Sequence, residues 1–597
     1  MVSWPSIVAD DGVATTTAAY SGYLSRYLIT LWQSRYGNLV FSSLSLASTI
    51  IVQMTRARVF LLTASLLLGG ATRLNQPNLI FVLVDDWGSA NAGFQRDPSW
   101  PGDNETQTPN IDRLARGGLI IDRHYVYKLC SPTRSALQTG RNPIHVNVVN
   151  SPISQYNLAD PEAGFQGAAR SFTGIAEKLR GVGFSTHQVG KWNAGMALHK
   201  QTPSGRGYDS SLYYYDYDTF FWNGTVETCT RASGGDTMMT DLSTSINGGP
   251  ATPAWGMNNT WRCSQTDESV DACPHGYQDD LFMRRVEEVI ANSTATPDSP
   301  LFLFWAPHAP HDPYEVPAVY LEKFAAIDVE PRRYYMSMVN YLDDNFGRLE
   351  AALRAAGRWE NTLVVVSSDN GGPVGGRFGA NNFPLRGGKA SNFEGGIRVN
   401  SFAFGGALDP ALAGTRTAEL TAIEDWWTTF SLLGGANTTD APAAAAGLPP
   451  VDGFDLRGLL LPGGNRTSPR TRVVIGDATD EAGGDTLVGG IITNEGWKLL
   501  RGHIGNPFWQ GPIFPNRSVY PTGSLVCNPC LFNVFTDPHE LEDVAAANPD
   551  IVARLVAEVD ALQRTVWNPD RGNSSKDGLA CEKALGVGRG FWMPFLD

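Results

Sequence analysis

Positive charge is in short supply. Lysine and arginine total 46 against 60 aspartates and glutamates, a net charge of −14. A surface that grips phosphate backbones needs the opposite balance, so nucleic acid is excluded as a partner. Cysteine is sparse too, at seven. An odd count in an oxidising compartment leaves one thiol over after pairing, and that residue invites a search for reactivity. Apolar residues make up 42%, enough for a sizeable core. At 597 residues the chain exceeds what one core usually fills, so one large domain and at least one smaller one are expected.

The apolar run at 59–68 falls short of the roughly 20 residues that span a bilayer. Arg56 and Arg58 precede it, and Gly69, Gly70 and Ala71 follow. That layout is a signal peptide cleaved after Ala71. Two readings of its position stay open. In one, Met54 starts translation and 1–53 is an extension of doubtful status. In the other, 39–52 and 59–68 act together as an uncleaved anchor. Asn-x-Ser/Thr sites at Asn104, Asn223, Asn258, Asn292, Asn437, Asn465, Asn516 and Asn573 agree with the secretory pathway, with an extracellular or lysosomal/vacuolar destination.

The run 78–84 (NLIFVLV) ends in Asp85 and Asp86. A continuous apolar run without alternation reads as a strand buried on both faces. Similar runs recur at 301–305 (LFLFW) and 362–366 (TLVVV), the latter leading into Asp369 and Asn370, and 184–189 is strand-like. Helical patterns at 172–179, 280–290 and 334–353 alternate with them. The order predicts an α/β fold with a large, mostly parallel sheet flanked by helices. Asp85, Asp86, Asp369 and Asn370 then cap strand ends on the edge where open α/β sheets bind ligands. Segments 441–446 and 449–465 read as surface loops. After about residue 471, short strands at 473–475, 490–493 and 497–501 and a helix at 549–562 predict a smaller C-terminal antiparallel domain. The expected domains are 77–470 and 471–597, preceded by the signal-like segment 54–71.

Cys130-Ser131-Pro132-Thr133-Arg134, continued to Thr139-Gly140-Arg141, is the most specific segment. It resembles the signature of the type I, formylglycine-dependent sulfatases, whose fold is alkaline-phosphatase-like. The resemblance covers about 77–567 and is nearest to arylsulfatase B-like (N-acetylgalactosamine-4-sulfatase-like) enzymes. It is supported by Arg206-Gly207-Tyr208-Asp209, Glu394-Gly395-Gly396-Ile397-Arg398 and Asp452-Gly453-Phe454-Asp455. It implies that a formylglycine-generating enzyme oxidises Cys130, and that the hydrated aldehyde attacks sulfur with one hydroxyl and expels sulfate with the other. Pro132 and the helix formers after it put position 130 near a helix N-terminus, where exposed N–H groups favour an anion.

The same resemblance makes Asp85, Asp86, Cys130, Asp369 and Asn370 a metal set. Hard oxygen donors suit Ca²⁺, or Mg²⁺, and not zinc. Lys191, His311 and Lys389 match sulfate-contacting positions. Arg134 and the two lysines supply positive charge, and His311, preferred over His308 because Asp312-Pro313 follows it, is the implied general acid. One position departs: Asn193 stands where the family has a histidine thought to help expel sulfate. An amide cannot take up a proton at ordinary pH, and loss of a general base costs about 10²- to 10⁴-fold. His187 and His199 are the histidines left to substitute. The expected substrate is an aryl or carbohydrate sulfate. The alternative is a catalytically impaired relative that binds sulfated glycans. A phosphatase is disfavoured, since such relatives carry Ser or Thr as nucleophile.

Cys229 and Cys263 bracket a polar insertion across which they could pair, with Cys273, Cys527, Cys530 and Cys581 left open. The insertion, 213–273, rich in aromatics and glycine, is expected to wall the pocket and suit aromatic or carbohydrate rings by stacking, the alternative being a surface loop.

Overall fold

A computed structural model describes residues 76–597, apart from 103–104, 151–156, 158, 160–166, 231–233, 255–275, 297, 478–487, 513–524 and 570–577. The signal-like segment, Met54, Cys263, Cys273 and the sequons at Asn104, Asn258, Asn516 and Asn573 lie outside the described residues. No helix among the described residues is long and apolar enough to cross a membrane.

The chain builds a sheet whose centre is five strands: β1 (Asn78–Val84), β2 (Ser185–Lys191), β3 (Ser210–Tyr214), β4 (Leu301–Ala306) and β5 (Thr362–Ser368). They run parallel in the order β3-β2-β4-β1-β5. Antiparallel strands flank them, with β6 (Ser401–Phe404) against β5 and Ser243–Ser245 against β3. The unbroken apolar runs follow from burial on two faces. Leu79, Phe81 and Leu83 enter one core, while Ile80, Val82 and Val84 enter the other. The first core is shared with α1 (Cys130–Thr139), α2 (Ile175–Arg180) and α5 (Asp425–Leu433). The second is shared with α3 (Gln278–Asn292) and α4 (Glu330–Ala355). Each fully buried leucine, valine or phenylalanine contributes about 1.5–3 kcal/mol.

The smaller sheet is fully antiparallel: β7 (Arg472–Gly476), β8 (Val488–Thr493), β9 (Trp497–Ile504) and β10 (Leu525–Asn533), with α6 (Pro549–Gln563).

Four expectations are corrected. The helix pattern at 172–179 starts only at Ile175. The 441–465 region holds two short helices, Ala441–Ala445 and Arg457–Leu460, and buries Leu459 and Leu460. Tyr213 and Tyr214 belong to β3 of the main sheet, so the insertion starts after them. Cys229 pairs with Cys581, 352 residues away, and not with Cys263. The partner sits on the helix Gly578–Leu585, which packs beside the hairpin bearing Cys229. Cys527 pairs with Cys530, and Cys130 is the free cysteine among the described residues.

Candidate active site

β1 and β5 run in register from Asn78↔Thr362 to Val84↔Ser368, so Asp85 and Asp86 leave one strand beside Asp369 and Asn370 leaving the other. The Asp369 N–H donates to the Val84 carbonyl (2.9 Å). Asp86 holds a positive φ of 57°, unusual for a non-glycine residue. β2 delivers Lys191 at its last position, after Gly190 (φ 96°), where a Cβ would lie 1.9 Å from the Ala306 carbonyl oxygen.

Cys130 is the first residue of α1, all of which is buried. Its thiol lies 3.5 Å from Asn370 Oδ1 and 3.7 Å from Asp85 Oδ1. The first turn is fixed by the Ser131 N–H donating to Asn150 Oδ1 (3.1 Å). Arg134, one turn on, donates through Nη2 and Nε to Asp369 Oδ2 (2.7 and 3.1 Å). Lys191 Nζ donates to Asp85 Oδ2 at 2.6 Å. Lys389 Nζ donates to Asp86 Oδ2 (2.9 Å) and meets His311 Nε2 at 2.8 Å. Since the ammonium can only donate, Nε2 accepts there, and the Nδ1–H of His311 is assigned to the Asp312 carbonyl.

Two fully buried cations, Arg134 and Lys191, and the partly buried Lys389 therefore meet three buried carboxylates. Burial opposes ionisation of Asp85, but Lys191, His311 and Arg134 outweigh it and hold its carboxyl below the usual range. Burial likewise opposes the charge on Lys191, and Asp85 reverses that. Cys130 is pushed the other way, well above an ordinary thiol, by burial and by Asp369. At neutral pH the unmodified side chain is a protonated thiol, a poor nucleophile.

Ligand atoms of Asp85, Asp86, Cys130 and His311 lie within 4.8 Å of one another. Asn370 joins them, donating from Nδ2 to Asp86 Oδ1 (2.6 Å), while Asp369 Oδ1 accepts from the Asp86 N–H (3.3 Å). Carboxylate and amide oxygens in this density fit a hard divalent cation.

All the candidate residues from Asp85 to Lys389 thus converge. His311 is the histidine that reaches Lys389 and Asp86. His308 instead stacks on Phe221 (4.0 Å between ring centroids) and bonds Gln278 through Nδ1 (2.9 Å). Asn193 is buried with φ 46°, and neither atom of its amide has a hydrogen-bond partner among the described residues. The substitutes considered for it fare differently. His187 has both ring nitrogens on serine hydroxyls and lies four residues before Lys191, about 13 Å back along the strand. His199 packs beside the C-terminal Asp597. Sequence reasoning overlooked Asp279, which accepts the His308 and Ala309 N–H groups (3.0 and 2.7 Å) and fixes the loop carrying His311. Nothing in its surroundings along the chain distinguishes it from an ordinary acidic first turn of a helix.

The family profile described as Sulfatase matches residues 77–436. Mouse arylsulfatase J is 30% identical over 525 residues, covering 83% of this chain and 77% of that protein. Human arylsulfatase A is 28% identical over 521 residues, covering 82% and 88%. Pig N-acetylgalactosamine-6-sulfatase is 28% identical over 418 residues, covering 69% and 71%. Among solved structures, PsFucS1 sulfatase from Pseudoalteromonas sp. superposes with a TM-score of 0.60 at 23% identity, covering 84% of this chain and 93% of that one. Ps i-CgsB in complex with k-i-k-neocarrahexaose gives 0.62 at 23%, covering 83% and 94%.

Proposed function

Starting from the chain's membership of the sulfatase family, and hence from its being a sulfuric ester hydrolase, we propose that it cleaves aryl or carbohydrate sulfates with a formylglycine made from Cys130. The observation that carries this reading is the burial of an unreactive thiol at a helix N-terminus, within 3.7 Å of Asp85 and Asn370 and inside a cage of fixed cations. Formylglycine supplies, when present, a pair of hydroxyls on one carbon in place of the thiol, one to attack sulfur and one to drive its release. A divalent cation, Ca²⁺ or Mg²⁺, supplies polarisation of the sulfate oxygens.

Asp85, Asp86, Asp369 and Asn370 would hold that cation. Its charge would leave the balanced set of three cations and three carboxylates with a surplus of two positive charges, which the single negative charge of an incoming sulfate ester offsets in part. Lys191 and Lys389 would turn from Asp85 and Asp86 towards the sulfate oxygens, at low cost because Lys191 is already fully desolvated and Lys389 largely so. Arg134 stays on Asp369 and orients it. Once Lys389 has turned to the sulfate, Nε2 of His311 is freed from the ammonium and would take up a proton from solvent, which the imidazolium then delivers to the leaving oxygen while the Nδ1–H bond to the Asp312 carbonyl fixes the ring. Maturation by a formylglycine-generating enzyme and passage through the secretory pathway belong to the same reading, in keeping with the Cys229–Cys581 bridge.

The test is peptide mass spectrometry across 129–134 of protein secreted from a eukaryotic host, together with hydrolysis of 4-nitrophenyl sulfate. Formylglycine at position 130 with turnover that Lys191→Ala reduces at least 100-fold is expected. An unmodified Cys130 in a host that matures other sulfatases would overturn the proposal and favour a glycan-binding protein.

A further inference from the structure

Lys389 reaches the site from a loop, not from a strand end, and what fixes that loop comes largely from the segments that follow β9 and β10 of the small sheet. Asn506 Nδ2 donates to the Lys389 carbonyl (2.9 Å), and the Gly387 N–H donates to the Phe508 carbonyl (2.8 Å). Arg386 donates from Nε to the Pro507 carbonyl (2.9 Å) and from Nη1 to the Glu540 carbonyl (2.8 Å). Its guanidinium is sandwiched between Phe393 (3.9 Å) and Trp509 (4.0 Å).

Behind this lies a buried three-charge cluster. Lys498, on β9, meets Glu394 Oε1 at 3.0 Å and Glu540 Oε1 at 2.8 Å, with all three side chains inaccessible to solvent. Glu540 Oε2 accepts the Glu394 N–H (2.7 Å), and Glu394 Oε2 accepts the Tyr125 hydroxyl (3.0 Å) with Arg398 3.7 Å away. A further sign of constraint is the backbone. Non-glycine residues at positive φ include Ala390 (68°), Asn506 (47°) and Glu540 (51°), one on each segment of the clamp. Such conformations persist where the surroundings enforce them and gather at functional sites.

We propose that Glu540, Lys498 and Arg386 are positioning residues for Lys389, so that the C-terminal sheet sets how firmly the site holds the sulfate group. The proposal rests on the reading of Lys389 as a sulfate contact. A buried ion cluster with a purely structural role would also lower stability when broken, so stability alone does not discriminate. A cycle of variants does. Binding of inorganic sulfate is measured by calorimetry and by inhibition of 4-nitrophenyl sulfate hydrolysis for the full chain, Glu540→Ala, Lys389→Ala and the double variant.

Glu540→Ala should weaken sulfate binding about tenfold in the presence of Lys389 and less than twofold in its absence. Glu540→Gln, which keeps the shape and one acceptor oxygen, should recover most of the loss and serves in the same cycle if the alanine variant does not fold. Equal weakening with and without Lys389, or none in a folded variant, overturns the positioning role. If the full chain binds sulfate without hydrolysing the aryl ester, the hydrolase reading fails while the cycle still decides the proposal.

Discussion

At the scale of single residues the decisive one is Asn193. Its amide is buried, both its polar atoms lack protein partners, and it holds a left-handed backbone conformation two residues past Lys191. Buried polar groups are rarely left unpaired without a reason, and the sulfatase resemblance gives this position a part in expelling sulfate. Hydrogen bonding alone does not remove a proton. If sulfate release limits turnover for that reason, Asn193→His should raise kcat on 4-nitrophenyl sulfate by about tenfold or more, a part of the roughly 10²- to 10⁴-fold that a well-placed general base provides. Steady-state kinetics with a pre-steady-state burst decide it. The burst, present before the change, should vanish with it. An unchanged or lower kcat would mean that release is not the slow step.

At the scale of elements, the ends of β2 and β4 carry the tolerance of the site. Gly190 pairs with Ala306 in register, and a methyl group there would sit 1.9 Å from the Ala306 carbonyl oxygen, at a φ that side chains avoid. Gly190→Ala should therefore displace Lys191 from Asp85, cost more than about 3 kcal/mol, and lower activity even at temperatures where the variant remains folded. Thermal unfolding and aryl sulfate hydrolysis read the two effects separately. The same strands explain what was legible. β1, β4 and β5 are buried on both faces, so their sequences are largely unbroken apolar runs, and Asp85-Asp86 after β1 and Asp369-Asn370 after β5 stand out directly. Segments with weaker patterns escaped. β6 is four residues long and antiparallel. β10 contains Cys527-Asn528-Pro529-Cys530, and a proline inside a run argues against a strand. As the edge strand of the small sheet, with a register shift opposite Leu500 and Gly502, it tolerates one. Of the site, Asp85, Cys130, Lys191 and Lys389 were legible from motifs. Glu540, Lys498 and Asp279 were not, because their roles arise from contacts with residues more than 25 positions away.

For the molecule as a whole, opposing groups of buried residues shape the response to pH. Burial raises Asp279 to about 7 and Asp343 to about 6, and it raises Glu540 and Glu424 despite Lys498 and Arg470 beside them. Folded protein binds extra protons at these groups between about pH 4 and 7, so their contribution to stability is lost as pH rises through that window. Burial also lowers His124 to about 3 and His187 to about 4, and it lowers His308. These rings stay neutral in the folded state and charge on unfolding, so their contribution is lost as pH falls below about 6.5. The two sets oppose each other between about pH 5 and 6.5, and a broad stability plateau is expected there. Below about pH 4 protonation of Asp85 and Glu394, whose carboxyls are held low by Lys191 and Lys498 against their burial, should bring a steeper decline. The balance can be tilted at one position remote from the site. In His187→Asn the penalty for burying a neutral ring, about 2 kcal/mol at pH 5 relative to pH 7, disappears. Whatever the substitution costs in packing at both pH values, the variant's unfolding midpoint should then rise relative to the original protein on going from pH 7 to pH 5. A midpoint difference that does not change with pH would mean that His187 is charged in the folded protein at pH 5, and the plateau would have to come from elsewhere.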